Sequence, residues 1–457
     1  MNTATRQEHV LIGYRDVPAD AYYGIQTLRA FENFTVSGVR LHQFSTFVRA
    51  LATVKKAAAI ANNKVDVLDE RIKDAIVAAC DDVIDNKYHD QFIVDMFQGG
   101  AGTSTNMNAN EVIATLAAQR LGMPVHPNDH VNCSQSSNDV IPTAIHVSAE
   151  LALENLLLPA VTHLASVIAA REEKCADLIK TGRTHLMDAM PISLAQEFSG
   201  WRAQMTLGAQ RIDSSRAQLR QLAQGGTAVG TGVNADPQFA ERFCFHLAEY
   251  SGRPFKPAEN YFAAIASQDI AVALSGQLKA LAVALLKIAN DLRWMNSGPL
   301  TGLAELRLKP LQPGSSIMPG KVNPVIPEAV AMAAAQVIGN DSVITVAGQS
   351  GNFQLNVMLP VIAHNLLQSI TLLSNSCKAL ADNCIADFII NTENIQAGLA
   401  NNPILVTALN KEIGYSKAAE IAKRAYSEKR PILDVAAEMT DLPMDRLAEL
   451  LNPGNLV

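Results

Sequence analysis

The sequence predicts a mainly α protein in which a central bundle of long helices lies between two smaller helical regions. Three observations carry that expectation. Apolar residues recur at three- and four-residue steps through the middle of the chain, as at Leu278, Leu281, Leu285 and Ile288. These periodic stretches outrun the roughly 8–20 residues of an ordinary globular helix. Glycine and proline gather in the flanking regions, where Pro403, Gly414, Pro431, Pro443 and Pro453 break the last region into short elements.

In chain order, residues 1–140 mix helical segments with loops rich in Gly, Asn, Pro and Ser. Residues 141–393 hold the long helices, expected at about 143–179, 193–224, 265–296, 324–347 and 356–386. Residues 394–457 form a small helical C-terminal region. A long helix must bury its apolar stripe against neighbours, so a bundle follows. Some stretches, such as Ala280–Leu286, are apolar almost all round. Such a helix is either central to a large monomeric bundle or buried a second time against another subunit; we expect a homo-oligomer.

Composition narrows the function. The 457 residues are 48% hydrophobic and 18% charged, which suits a large folded core and not a disordered chain. The net charge of −7 and an aromatic content of 5% argue against a nucleic-acid binder, which needs a basic face and stacking platforms. The six cysteines show no C-x-x-C pair, so neither a disulfide framework nor a zinc site is expected. Reduced thiols in a chain of this size suggest a cytoplasmic location. Met1–Asp16 lacks the apolar core of a signal peptide. Ile270–Leu292 is interrupted by Lys279, Lys287, Asn290 and Asp291, so no membrane partner is expected.

Four polar segments punctuate the apolar chain. Gly314-Ser315-Ser316-Ile317-Met318-Pro319-Gly320-Lys321-Val322-Asn323-Pro324 sets two hydroxyls, a lysine and an amide in one loop. A phosphate-binding P-loop is excluded, because five residues separate the glycines and Val322 follows the lysine. The loop is either an ordinary turn before a helix or a glycine-hinged flap in which Lys321 and Asn323 hold a carboxylate. Gln98–Asn108 combines small residues with Thr103, Ser104 and Thr105, and reads as a capped loop or as a close backbone approach to a ligand. His126–Asp139 ends in Ser136, Ser137 and Asn138, three neutral donors that either cap the next helix or receive an anion. His126 and His130 lie across a proline in a loop, so no metal site is assigned. Gly182–Asp188 presents His185 beside Thr184, either as a structural histidine or as a general acid or base. Gly226–Gly232 has the wrong spacing for a dinucleotide loop.

Together these segments resemble the aspartase/fumarase superfamily. GSSIMPGKVNP stands unbroken over Gly314–Pro324, supported in order by GGAGTSTNMN, HPNDHVN, SQSSND and GRTHL. The resemblance runs from about Val17 to the C-terminus. It implies a three-domain fold with a central long-helix bundle, and a homotetramer whose active sites each draw on three subunits. It also implies reversible elimination from a succinyl-type substrate to give fumarate, through an aci-carboxylate and without a cofactor. By resemblance, Ser315 is the base; Thr103, Ser136, Ser137 and Ser316 hold the activated carboxylate. Thr184, His185, Lys321 and Asn323 hold the other end, Glu328 pairs with His185, and Asn138 adds a substrate contact.

The resemblance divides over the substrate. Asp20–Gly24, Asp90–Asp95, Gly99–Ser104 and Val325–Glu328 look like aspartases, and L-aspartate is the first expectation. Ser137, Gly351–Phe353, His364–Asn365, Arg293–Trp294 and Leu405–Lys423 look like class II fumarate hydratases, the alternative. The family's Ser-Gly-Pro-Arg reads Ser297-Gly298-Pro299-Leu300 here. The fold also serves as a non-enzymatic lens crystallin, a reading against which Ser315, Lys321, Asn323 and His185 stand.

Overall fold

The computed structural model describes residues 4–400 and 402–457, and it is mainly α. Contacts divide the chain into two compact units. The first comprises 1–159, 210–280 and 335–374; the second comprises 160–209, 281–334 and 375–457. All five boundaries fall inside long helices, namely Leu158–Lys174, Leu194–Leu219, Asp269–Met295, Val325–Gly348 and Leu359–Leu380. These are the five long helices expected from the apolar periodicity.

Their ends differ from expectation for local reasons. The first starts at Ser137, because Ser136 caps it, and it runs through a π-turn at Leu153–Leu157 to Lys174. It stops short of 179 because Ile179 opens a strand. The third starts at Asp269 because Ser267 is extended and closes a separate short helix, Tyr261–Ala266.

The first unit opens with an unexpected hairpin, Thr5–Val10 paired with Gly13–Pro18. Helices Ser45–Lys64, Glu70–Ile84, Thr103–Leu121 and Ser137–Ala152 follow, with Phe47, Leu51, Ile76, Val112 and Ile145 buried among them. Glu111 reaches from Thr103–Leu121 to the start of helix Ile25–Asn33. It accepts the amides of Gly24, Gln26 and Thr27 and the Thr27 hydroxyl, at 2.6–3.0 Å. Four donors and a helix dipole offset part of the cost of burying that carboxyl, and burial still raises its pKa.

The second unit carries the hairpin Ile179–Thr184 and Met187–Ser193. It also holds a C-terminal core of Leu405, Val406, Leu409, Ile421, Val435 and Leu447. The six cysteines are free thiols, five of them buried.

Candidate active site

Each unit brings two of the four polar segments. In the first, Gln98–Asn108 meets His126–Asp139 at the start of helix Ser137–Ala152. Ser136 Oγ accepts the Asn138 amide at 3.2 Å, and Asp139 Oδ1 accepts the Ser136 amide at 2.9 Å, a reciprocal cap. Asp139 is fully buried, and its other oxygen accepts the Gly225 and Thr227 amides at 3.0 and 2.9 Å. Burial pushes its carboxyl up to about 6, against those three amides and Lys55. One Asn138 side-chain N–H goes to Ala228 O at 2.7 Å. The glycine loop excluded as a nucleotide site is therefore the brace of this helix start.

The hydroxyls show what that start can hold. Ser137 Oγ accepts the Asn106 amide at 2.9 Å. Ser136 and Ser137 thus accept protein donors, and among the described residues neither hydroxyl proton has an acceptor. Two half-buried hydroxyls with free protons, at the positive end of a helix, suit an anion. Thr103 opens the neighbouring helix and donates to Gly100 O at 2.8 Å, so it must rotate to serve a ligand. Gly102 before it has φ +87°, and a Cβ there would lie 2.9 Å from Ile141, so only glycine fits.

His126 and His130 fold into a turn. His126 Nδ1 accepts the Asp129 amide at 3.1 Å, and His130 Nδ1 accepts the His126 amide at 2.9 Å.

In the second unit, the Gly314–Pro324 loop is closed at its base. Gly314 N donates to Lys321 O at 2.8 Å, and Asn323 Nδ2 donates to Gly314 O at 2.9 Å. A Cβ on Gly314 would lie 2.6 Å from Lys321 O, so the crossing requires glycine. Lys321 Nζ donates to Asn323 Oδ1 at 2.6 Å. Ser315 Oγ accepts the amides of Ile317 and Met318 at 3.2 and 3.1 Å. Two N–H groups on one hydroxyl oxygen stabilise it when negative, which a serine base needs. Ser316 is exposed on the same loop. A cleft of about 1020 Å³ is lined by Arg293, Arg307, Lys309, Lys321, Asn323 and Glu328, among others. Four cations against one carboxylate favour a dianionic guest. Ser297, Gly298 and Pro299 line it too, whereas Leu300 is 93% exposed.

Thr184 and His185 sit at the tip of the second hairpin. Thr184 pairs with Met187, and His185 and Leu186 between them have φ of 56° and 61°. That is a two-residue turn of the type that favours Asn-Gly, and here it is built from His-Leu at a cost in strain. The hairpin is fixed at its base. Lys180, 2% exposed, lies 2.7 Å from both Glu197 and Glu305, and Arg183 joins Glu305 at 2.8 Å. Both tip side chains are exposed. Within one chain, no hydrogen bond or ion pair joins His185 to Glu328 among the described residues.

Sequence reading missed the buried supports. Lys55, Asn106, Asn132, Asp139 and Thr227 carry the first pair of segments; Lys55 stands outside every segment read for its chemistry, and the other four lie inside such segments without being singled out. The available signal was polarity on an apolar helix face. Lys55 and Asn62 share a stripe with Leu51 and Ala58, and all four are buried.

Comparisons with known proteins agree over the whole chain. Residues 13–339 match the Lyase family, and 405–457 match the Fumarase C C-terminus family. The chain is 59% identical over 454 residues to fumarate hydratase class II 2 of Pseudomonas aeruginosa, covering 99% of each. It is 54% identical over 451 residues to fumarate hydratase class II of Xylella fastidiosa, covering 99% of this chain and 95% of that one. The crystal structure of recombinant class II fumarase from Schistosoma mansoni superposes with a TM-score of 0.96 at 37% identity, covering 99% of each chain. The cobalt-bound crystal structure of fumarate lyase:delta crystallin from Brucella melitensis gives 0.95 at 47% identity, again over 99% of each. On these matches the chain belongs to the aspartase/fumarase superfamily of lyases.

Proposed function

We propose that the chain is a class II fumarate hydratase, interconverting L-malate and fumarate. One observation carries this over the aspartate expectation: relatives 59% and 54% identical over 99% of the chain are named class II fumarate hydratases. The match of residues 405–457 to a fumarase C-terminus supports it, where Leu405–Lys423 already looked like the hydratases.

In the dehydration direction, Ser315 Oγ takes a proton from the carbon beside one carboxylate. The electron pair left behind moves into that carboxylate, which becomes a doubly charged aci-carboxylate. Ser136, Ser137, Thr103 and Ser316 hold this end. That pair then returns to form the carbon–carbon double bond of fumarate as the C–O bond on the adjacent carbon breaks; the hydroxyl keeps the C–O pair, gains a proton from the His185 side and leaves as water. Lys321, Asn323 and Thr184 hold the far carboxylate. Charge build-up at the aci-carboxylate is the costly step, so fixed donors matter most there. The scheme uses no cofactor.

The site is completed by other copies of the chain, as a homotetramer in which His185 meets Glu328. Three helices support this. Ser137–Lys174, Asp269–Met295 and Val325–Gly348 are long and apolar enough to cross a membrane by length and composition. Their most apolar windows are only 39%, 39% and 33% buried, and Val283, Met332 and Val346 stand exposed on them. Other subunits suit those faces better than lipid does. Lys279 pairs with Asp341 at 2.5 Å, and Asn340 bonds Ser369 at 3.0 Å, polar groups that are costly in a bilayer. Six free thiols support a cytoplasmic setting.

The test is fumarate absorbance with L-malate and L-aspartate offered separately to the purified protein. Turnover of malate alone is expected. Turnover of aspartate alone, with ammonia released, overturns the hydratase reading. Light scattering at four times the chain mass is the matching test of assembly.

A further inference from the structure

The first polar pair rests on a buried set of amides with one lysine. Lys55 is fully buried in helix Ser45–Lys64 and donates to Asn132 Oδ1 at 2.9 Å and Gln135 Oε1 at 3.0 Å. Both Gln135 N–H groups are spent on Val131 O and Cys133 O, at 3.1 and 3.0 Å. The Asn132 amide donates to Gln135 O at 3.2 Å. These bonds leave Asn132 Oδ1 facing inward as an acceptor. It receives Asn106 Nδ2 at 3.1 Å and Asn110 Nδ2 at 3.2 Å besides Lys55.

The polarity then passes outward without ambiguity. A backbone carbonyl only accepts, so Asn132 gives its NH₂ to Gln135 O and must present oxygen to Lys55, whatever the charge on the amine. An oxygen there requires Asn106 to present its NH₂. The second proton of that NH₂ goes to Ser137 Oγ at 2.9 Å. A hydroxyl that accepts on its inner side keeps its one proton for the outer side. Asn106 is 1% exposed, and its Oδ1 has no partner among the described residues, so its place is not explained by carbonyl bonding.

We propose that Asn106, oriented by Asn132 and Lys55, is a positioning residue that holds the Ser137 hydroxyl as a donor to the substrate's activated carboxylate. The proposal rests on the reading of Ser137 as a residue of the carboxylate site. It does not depend on which group leaves from the far carbon.

A mutant cycle tests it, run on the full-length protein with whichever of L-malate and L-aspartate the wild type converts. Failure of the hydratase reading shows in the wild type's substrate; failure of the positioning role shows only in the cycle. Asn106→Leu keeps the volume and removes both N–H groups, and Asn106→Ala is the second variant should leucine impair folding. Either variant is expected to lower kcat by roughly tenfold, the scale of one hydrogen bond to a charged group. The loss falls on kcat more than on KM, because charge on the carboxylate grows toward the transition state. In a Ser137→Ala background the same change is expected to cost less than about threefold, because the group it acts through is gone. A merely structural asparagine gives losses that multiply in the double variant, and that result overturns the proposal. So does a Ser137→Ala enzyme within about threefold of wild type.

Discussion

Lys321 Nζ lies 2.6 Å from Asn323 Oδ1, while the same Asn323 amide donates to Gly314 O at 2.9 Å. One asparagine thus ties the ammonium to the base of its own loop. The cation is placed before substrate arrives, so less ordering is required on binding.

Asn323→Ala releases both bonds. It is expected to lower kcat/KM by about 10–100-fold, the scale of one or two charge-assisted bonds. Melting temperature should move little, since Asn323 is only half-buried. Steady-state kinetics on malate check this; a loss below about threefold removes Asn323 from the substrate site.

Ser315→Ala removes the oxygen that receives the Ile317 and Met318 amides. Turnover should fall by about 10²–10⁴-fold, the usual contribution of a positioned base, with light scattering unchanged. An alanine variant that keeps most of its activity assigns the base elsewhere.

Leu186 occupies the left-handed region at φ 61°, next to His185 at 56°. Glycine there avoids a cost of about 1 kcal/mol. Leu186→Gly is therefore expected to raise the apparent melting temperature slightly while leaving His185 in place. A lowered melting temperature would mean that the leucine packs against something in the assembly and is not merely strained.

Lys55 gives the pH prediction. Burial pulls its amine down to about 7 from 10.5, against the nearby Asp139. The unfolded chain therefore takes up a proton near 10.5 that the folded chain refuses until about 7. Stability at this position is present above the unfolded value and lost as pH falls through that window. Relative to Lys55→Met, the wild type should lose roughly 1.4 kcal/mol per pH unit on going from about pH 9.5 to 7.5. Denaturant midpoints of the two proteins across that range measure it. A difference that stays flat would show that Lys55 remains charged in the fold.

Much of the fold was legible because long helices write their period into the sequence. All five long helices stand near the expected ranges, and the boundaries moved only where a local signal won, as at the Ser136 cap. The hairpins at Thr5–Pro18 and Ile179–Ser193 were not legible. The second is short, bulged, and held by Lys180, Glu197 and Glu305, residues drawn from three separate stretches of chain. Candidate site residues such as Ser315 and Lys321 were legible where reactive side chains and loop composition coincide. The buried polar groups behind them were not singled out, because Lys55 sits on an apolar helix face and Asn106 turns inward from its segment.

By itself the sequence determined the helical class, the four polar segments proposed to carry chemistry and the family they resemble. Each is a property of neighbours along the chain: a period, a cap or an unbroken motif. Only the tertiary structure decided what those segments lean on. It turned the Gly226–Gly232 stretch from a discarded cofactor loop into the brace of Asp139, and it placed Lys55 behind Ser137 through two asparagines. Hydrogen-bond direction depends on which groups face each other across the core. Lys55 and Asn132 are far apart in the chain, and no local pattern records that they meet.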